Sequence, residues 1–423
     1  MRRLRISIIG AGYVGLVTGL CFSELGHEVL CIDNDPKKVD SLREGRSPIF
    51  EPGIEDLLSE QIGKGRFRVE EDSREILRTE ITFLCVGTPS MKNGDMDLRF
   101  LESAAVDVGN VLREKESYHV VVVKSTVVPT TTERIIVPIL EKSSGKRAGR
   151  DLGVAMNPEF LKEGSALRDF MNPDRVVIGA LDEKSGNCVH SLYRDFKCPI
   201  LEVSLSTAEM IKVASNAFLA TKISFINEIG NICKSMGIDV RKVAEGMGYD
   251  KRIGSQFLRA GCGFGGSCFP KDVSGLTAEA ERRGVDPVLL RSVLKVNEVQ
   301  PLKIIELLEN RIRIEGKRIG VLGLSFKPDT DDIREARSRI IVGELLRKGA
   351  IVRAHDPKAI DNFKKEFPNV EYLRSAKECV EGCDAIVIVT EWPEYADPSI
   401  YEERLVIDGR GVVKTNNYEG ICW

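Results

Sequence analysis

One stretch of the chain, Gly263-Phe264-Gly265-Gly266-Ser267-Cys268-Phe269-Pro270-Lys271-Asp272, sets a thiol in a glycine-rich loop ahead of a proline, a cation and a carboxylate. Proline favours the first position of a helix, so the spacing puts Phe269 near an N-cap and Cys268 just outside it. The positive end of a helix lowers a thiol's pKa and makes the nucleophilic thiolate available. Asp272 then lies one turn from the sulfur. The plain alternative is a buried cysteine, a small hydrophobe, with Asp272 complementing the helix dipole. The run of glycines argues against that alternative, because a packed core has little use for bare backbone.

Other residues could serve that thiol. Glu159 and Glu163 lie four apart in Asn157-Pro158-Glu159-Phe160-Leu161-Lys162-Glu163-Gly164, and a helix starting there would put both on one face. A carboxylate beside a reactive thiol can act as a base for water; an acidic first turn is the plain reading. Lys212 and Asn216 are also four apart, inside a very apolar segment. Buried polar groups need partners, so the pair is either an internal hydrogen-bonded bridge or an ammonium and an amide aimed at developing negative charge. Thr88 and Thr126 each follow an apolar run, where they either contact a cofactor or cap a helix. Arg252 and Arg259, with the backbone from Gln256 to Gly261, and Lys327 and Arg410 further on, could clamp a diphosphate or sugar hydroxyls.

Gly10-Ala11-Gly12-Tyr13-Val14-Gly15 is a dinucleotide-binding fingerprint set between an apolar run and a small-residue helix. Its first glycine makes the turn, the second admits a pyrophosphate and the third lets helix and strand pack closely. The phosphates would sit on the helix N-terminus. Asp33 ends the next apolar run at the distance where a carboxylate accepts from the adenosine ribose hydroxyls. That acid favours NAD over NADP, although Lys37 and Lys38 are close by.

These residues need a scaffold. With 423 residues the chain exceeds one ordinary core. Apolar residues are 42% and the net charge is −3, so no whole-chain charge invites nucleic acid. The start, MRRLRISIIGAGYVG, resembles a signal peptide in outline, but its glycine spacing reads better as a first strand. No apolar run reaches membrane-spanning length. Eleven scattered cysteines lack metal-ligand spacing, which suits reduced thiols in a cytoplasm and no metal site. Apolar runs at 4–10, 28–33, 81–86, 119–124, 152–156 and 175–179 alternate with helix-period segments, the mark of a parallel doubly wound α/β sheet. From 206 to 236 runs one long helix with apolar residues on several faces, fit for a spine or a subunit interface. A second α/β rhythm follows, and its KRIGVLGLSF and IVRAHDP echo LRISIIGAGY and VLCIDNDP, a degenerate duplication without the full fingerprint. The expected organisation is a Rossmann domain at 1–199, a helical domain at 200–313 and a second Rossmann-like domain at 314–423.

Together, GAGYVG, VGTPS, KSTVVP, NPEFLKEGSALRDFMNPDRVVIG, KVASNAFLATKISFINE, GFGGSCFPKD, FKPDTDDIREARS and IDGRG make the chain resemble the UDP-glucose/GDP-mannose dehydrogenase family of nucleotide-sugar 6-dehydrogenases along nearly its whole length. NPEFLKEGSALRDFMNPDRVVIG and KRIGSQFL favour the UDP-glucose branch over the GDP-mannose branch. The resemblance implies oxidation of the sugar C6 alcohol to a carboxylate with two NAD, through a thiohemiacetal and a thioester on Cys268. It implies that Lys212 and Asn216 hold the C6 oxygen, that Asp272 activates water with Lys212, and that Thr126 and Glu159 support the water chemistry. For NAD it implies Gly10, Gly12, Val14, Gly15, Asp33, Lys38, Thr88, Thr126, Glu163, Lys271 and Arg334. For the nucleotide sugar it implies Glu159, Phe160, Leu161, Lys162, Lys212, Asn216, Phe257, Leu258, Arg259, Ala260, Gly261, Gly265, Lys327 and Arg410. It also implies Arg252 reaching a neighbouring subunit, and a homodimer through the long helix. A two-electron hydroxyacid dehydrogenase, which would not need Cys268, and a non-catalytic NAD sensor are the other classes.

Overall fold

Both α/β rhythms become sheets in the computed structural model, which describes residues 3–423. The chain divides into two compact units, Met1–Ser215 and Asn216–Trp423. The division falls inside one continuous helix, Leu205–Ser235.

The first unit holds strands β1 (Arg5–Ile9), β2 (Glu28–Ile32), β3 (Phe67–Glu70), β4 (Ile81–Leu84), β5 (Val120–Val123), β6 (Gly153–Met156), β7 (Val176–Ala180) and β8 (Ile200–Val203). Their order in the sheet is β3-β2-β1-β4-β5-β6-β7-β8. Central strands such as Val120–Val123 are buried on both faces, which is why they read as unbroken apolar runs. The expectation of a wholly parallel sheet needs one correction: β7 runs antiparallel to β6. Only a short helix, Ala166–Met171, lies between them, and β7 returns against β6 in the opposite direction. Strands β3 and β8 add to the expected set, and β8 is largely exposed, so no apolar run announces it.

The second unit holds β9 (Arg318–Leu322), β10 (Ile351–His355), β11 (Glu371–Tyr372), β12 (Ala385–Ile388), β13 (Leu405–Asp408) and β14 (Tyr418–Gly420), ordered β11-β10-β9-β12-β13-β14 and all parallel. This repeats the order of the first six strands of unit one, so the echo in sequence is an echo in topology. The repeat reaches single atoms. Gly10 turns with φ +99° and the next N–H, of Ala11, meets Asp33 Oδ2 at 2.7 Å. Gly323 turns with φ +95° and the next N–H, of Leu324, meets Asp356 Oδ2 at 2.7 Å. The copies then diverge. The first continues into the helix Tyr13–Glu24, whereas the second has a loop until the helix Arg337–Arg347.

Candidate active site

Every fingerprint residue of the first unit lies at the carboxyl end of its sheet, where open α/β sheets bind ligands. A side chain on Gly15 would meet the Gly10 carbonyl oxygen at 1.9 Å, so helix and strand touch backbone to backbone. A side chain on Gly12 would meet no atom within 4 Å. Gly12 is also the N-cap of the helix Tyr13–Glu24 and supplies no side-chain cap, so the first-turn N–H groups face that same space. Asp33 is buried, with Lys38 Nζ 3.7 Å from its Oδ2. A dinucleotide pyrophosphate and ribose fit these residues. Val14 is half-buried on the same helix.

Thr88 and Thr126 cap no helix. The Thr88 hydroxyl donates to the Thr126 carbonyl at 2.7 Å, tying the loop after β4 to the loop after β5. Lys124, which no sequence pattern singles out, is buried and donates to Asn157 Oδ1 at 3.0 Å. Burial pushes its pKa down to about 8, against the favourable charge of Glu159.

The segment after β6 corrects a second expectation. Residues 157–162 are not helical, so Glu159 and Glu163 do not share a helix face. Pro158 disfavours the helical conformation just before it, and the Glu159 carboxylate takes the Leu161 N–H for itself at 2.6 Å. Gly164 turns with φ +80°. Glu51, which no motif marks, caps the turn into the helix Ala166–Met171 by accepting from Gly164 N and Ala166 N at 2.7 Å each. Tyr13 donates to the same Glu51. The other Glu159 oxygen accepts from Lys212 Nζ at 2.8 Å, a buried ion pair. Burial raises the Glu159 pKa, but the Lys212 ammonium, the Leu161 N–H and Lys124 outweigh it and hold the group ionised. Lys212 also lies 5.4 Å over the Phe160 ring, and Arg175 stacks on that ring at 3.7 Å. Lys124, Asn157, Glu159, Phe160 and Arg175 border a cavity of about 120 Å³. Leu161 and Glu163 are half-buried and Lys162 is exposed.

In the second unit the helix Phe269–Arg282 starts one residue earlier than expected. Cys268 is itself the N-cap, Phe269 the first helical residue and Pro270 the second. Proline tolerates either position, because neither N–H has an intrahelical partner. Of eleven cysteines, eight are buried, two are half-buried and Cys268 is exposed. Its carbonyl accepts from Asp272 N at 2.8 Å, which places the carboxylate one turn below the thiol. Asp272 is buried, accepting from Asn216 Nδ2 at 2.6 Å and from Lys271 Nζ at 2.7 Å.

The glycines around Cys268 serve packing, contrary to the sequence argument. A side chain on Gly265 would meet Glu335 O at 2.4 Å, and one on Gly263 would meet Asn297 Oδ1 at 2.5 Å. Asn297 clamps the loop by accepting from Phe264 N at 2.7 Å and donating to Phe264 O at 3.0 Å. Asn227 and Gln300 do the same at Gly261, on its N–H and its carbonyl. No sequence signal marks these three amides, since a polar residue on a helix usually faces water. Gly261 in turn abuts the Gly409 carbonyl, at the carboxyl end of β13 beside Arg410.

The remaining candidates divide. Phe257 has φ +64°, a strained value for an aromatic residue; Leu258 is buried, Ala260 half-buried and Arg259 exposed. Arg410 donates to Val389 O at 2.7 Å, and Lys327 lies 5.7 Å from the Phe326 ring. Arg334 and Arg252 are exposed, each held by the aspartate two residues earlier, Asp332 and Asp250.

Residues 4–197 match the NAD binding domain of the UDP-glucose/GDP-mannose dehydrogenase family, 206–299 its central domain and 320–415 its UDP binding domain. A UDP-glucose 6-dehydrogenase of Haloferax volcanii is 45% identical over 97% of each chain. A GDP-mannose 6-dehydrogenase of Pseudomonas putida is 39% identical over 99% of this chain and 100% of its own. A solved UDP-glucose dehydrogenase from the hyperthermophilic archaeon Pyrobaculum islandicum matches with a TM-score of 0.96 at 42% identity, covering 100% of this chain and 98% of that one. With all three domain models matched in order and relatives of this identity along its length, the chain belongs to the UDP-glucose/GDP-mannose dehydrogenase family.

Proposed function

We propose that the chain oxidises C6 of UDP-glucose to the carboxylate, consuming two NAD per product. The observation that carries the reading is Cys268: an exposed thiol at a helix N-cap, over a buried aspartate held by an amide and an ammonium. Bound NAD supplies the oxidant for both oxidations. The fingerprint glycines and Asp33 hold it, with Val14, Lys38, Thr88, Thr126, Glu163, Lys271 and Arg334 as further contacts. The first oxidation gives an aldehyde. Cys268 sulfur bonds to the aldehyde carbon, and the carbonyl oxygen becomes an alkoxide that Lys212 and Asn216 stabilise. The resulting thiohemiacetal still carries a hydrogen to give up, whereas a free aldehyde could escape. Its oxidation leaves a thioester. Water activated by Asp272, with Thr126 and Glu159 in support, breaks the carbon–sulfur bond, releasing the acid and restoring the thiol. The segment 257–261, with Gly265, Lys327 and Arg410, grips the nucleotide sugar together with 159–162. The exposed, unpaired Cys268 thiol suits a reducing cytoplasm.

The relatives with UDP-glucose in their names, of 45% and 42% identity, favour UDP-glucose over GDP-mannose. Following NADH with each nucleotide sugar tests this: the expected result is two NADH per acid from UDP-glucose, and turnover of GDP-mannose alone would refute it. Cys268→Ala should form no acid; one NADH per product with an active Ala variant would support the hydroxyacid class instead.

The second unit also supports a homodimer. Phe218, Phe225 and Ile232, seven residues apart on the long helix, are exposed by 65%, 47% and 49%. Heptad spacing suits packing against a second copy of the same helix. Light scattering should report a dimer for the native chain and a monomer for Phe225→Glu; an unchanged mass would refute this. In such a dimer Arg252, exposed and held by Asp250, is assigned to the neighbouring subunit's substrate.

A further inference from the structure

The helix Leu205–Ser235 carries a second buried acid–base group that the chemistry above does not use. Glu209 lies one turn before Lys212 and is fully buried. Its Oε2 accepts from Thr130 N at 2.6 Å and its Oε1 from Thr132 N at 2.7 Å. Thr130 has φ +79°, an outlier for a β-branched residue. Thr132 opens a π-helical turn through Ile136, an irregularity that recurs at functional sites. This segment continues the loop after β5, which carries Thr126, whose carbonyl accepts from Thr88. One turn of one rigid helix therefore holds two loops. Glu209 holds the loop after β5, and Lys212, through Glu159, holds the loop after β6.

We propose that Glu209, as a carboxylate, is a positioning residue that keeps the Thr126 loop in register with Lys212. The inference rests on the reading of Thr126 and Lys212 given above. A carboxylate can accept both N–H groups, whereas a neutral carboxyl turns one oxygen into a hydroxyl and weakens one of the two bonds. Burial pushes the Glu209 pKa up to about 7, against the hydrogen bonds from Thr132 and Thr130. Glu133, on the π-helical turn, is the charged side chain that faces it and adds to the upward push. The loop is thus held firmly above neutrality and loosened below it.

Glu209→Gln keeps the volume and imitates the neutral form, while Glu133→Gln removes the flanking charge. The readouts are kcat and KM for UDP-glucose from pH 5.5 to 9, and amide hydrogen exchange at Thr130 and Thr132. In the native chain, kcat should rise through an ascending limb near neutrality. Glu209→Gln should lower the plateau about 10- to 100-fold, the cost of a small misplacement, leave KM within about twofold, abolish the limb and speed exchange at both amides. Glu133→Gln should keep the plateau and move the limb to lower pH. A Glu209→Gln enzyme with native kcat and pH profile, or with native exchange, overturns the proposal. Should that variant not fold, an unmoved limb in Glu133→Gln overturns it. Should the native chain not oxidise UDP-glucose, the functional reading fails, and the pH dependence of exchange at Thr130 and Thr132 decides this proposal alone.

Discussion

Alanine at Gly12 and alanine at Gly15 should fail in opposite ways. Gly12 has φ −79° and ψ −171°, open to any residue, and its added methyl touches no atom of the chain. Glycine to alanine on compatible backbone stabilises by about 0.4–1 kcal/mol through the unfolded state. At about 2–4 °C per kcal/mol for a unit of this size, Gly12→Ala should melt about 1–4 °C higher than the native chain. The same methyl fills the space where a pyrophosphate meets the helix N-terminus. Losing one charge-assisted hydrogen bond, about 1.5–3 kcal/mol, and about 0.3–1 kcal/mol of dipole interaction weakens NAD binding by about 20- to 700-fold. At Gly15 the methyl would lie 1.9 Å from the Gly10 carbonyl oxygen. A tolerable carbon–oxygen contact is about 3.3 Å, so helix and strand must part by about 1.4 Å. Neither backbone can rotate aside, and overpacking of this kind costs about 1–3 kcal/mol or more. Gly15→Ala should therefore melt about 2–12 °C lower. Thermal melts without NAD, and calorimetric titration with NAD, read both effects. Native NAD affinity in Gly12→Ala, or a melting temperature for it as low as that of Gly15→Ala, would refute the assignment of these two glycines.

Lys212→Met leaves the Glu159 carboxylate buried without its ion-pair partner, a loss of about 3–5 kcal/mol; adding Glu159→Gln should recover part of it, and a native melting temperature for the single variant would contradict the buried pair. Asn297→Ala strands the Phe264 N–H and carbonyl, at about 1–3 kcal/mol for each buried group left unpaired, so the melting temperature and kcat should fall together while NAD affinity stays native. Lys124 has a folded pKa of about 8, below its ordinary value near 10.5, so above pH 8 the unfolded chain binds more protons and stability from this group rises with pH. Lys124→Met should flatten the rise in melting temperature between about pH 8 and 10; an unchanged slope would contradict the buried ammonium.

Local patterns made much of this molecule legible. The runs that became β1, β2, β4 and β5 were readable because their residues are buried on both faces and carry no polar alternation. The fingerprint and Asp33 were readable because one strand, one turn and one helix fix their spacing. The long helix announced itself by length and apolar content, and its bounds, Leu205–Ser235, differ from the expected 206–236 by one residue at each end. The misreadings share one cause. Glu159 and Glu163 have helical spacing, but a local hydrogen bond to Leu161 and a distant cap from Glu51 hold the segment in an extended loop. The glycines near Cys268 argued against a closely packed setting, but their neighbours are Glu335, Asn297 and Phe326, distant in sequence.

The sequence by itself determined the alternation of strands and helices, the duplicated Rossmann start, the fingerprint with its acid, and the thiol, lysine and carboxylates that name the family. These are signals of neighbouring residues, set by the periods of strand and helix and by the conformations that glycine and proline allow. Tertiary structure alone decided which polar side chains became partners. It joined Lys212 to Glu159, Asp272 to Asn216 and Lys271, Asn297 to the Phe264 backbone, and Glu209 to Thr130 and Thr132. Each partner satisfies a buried group that would otherwise be costly to desolvate. Most of these pairs are dozens of residues apart, so they exist only once distant segments of the chain have packed together.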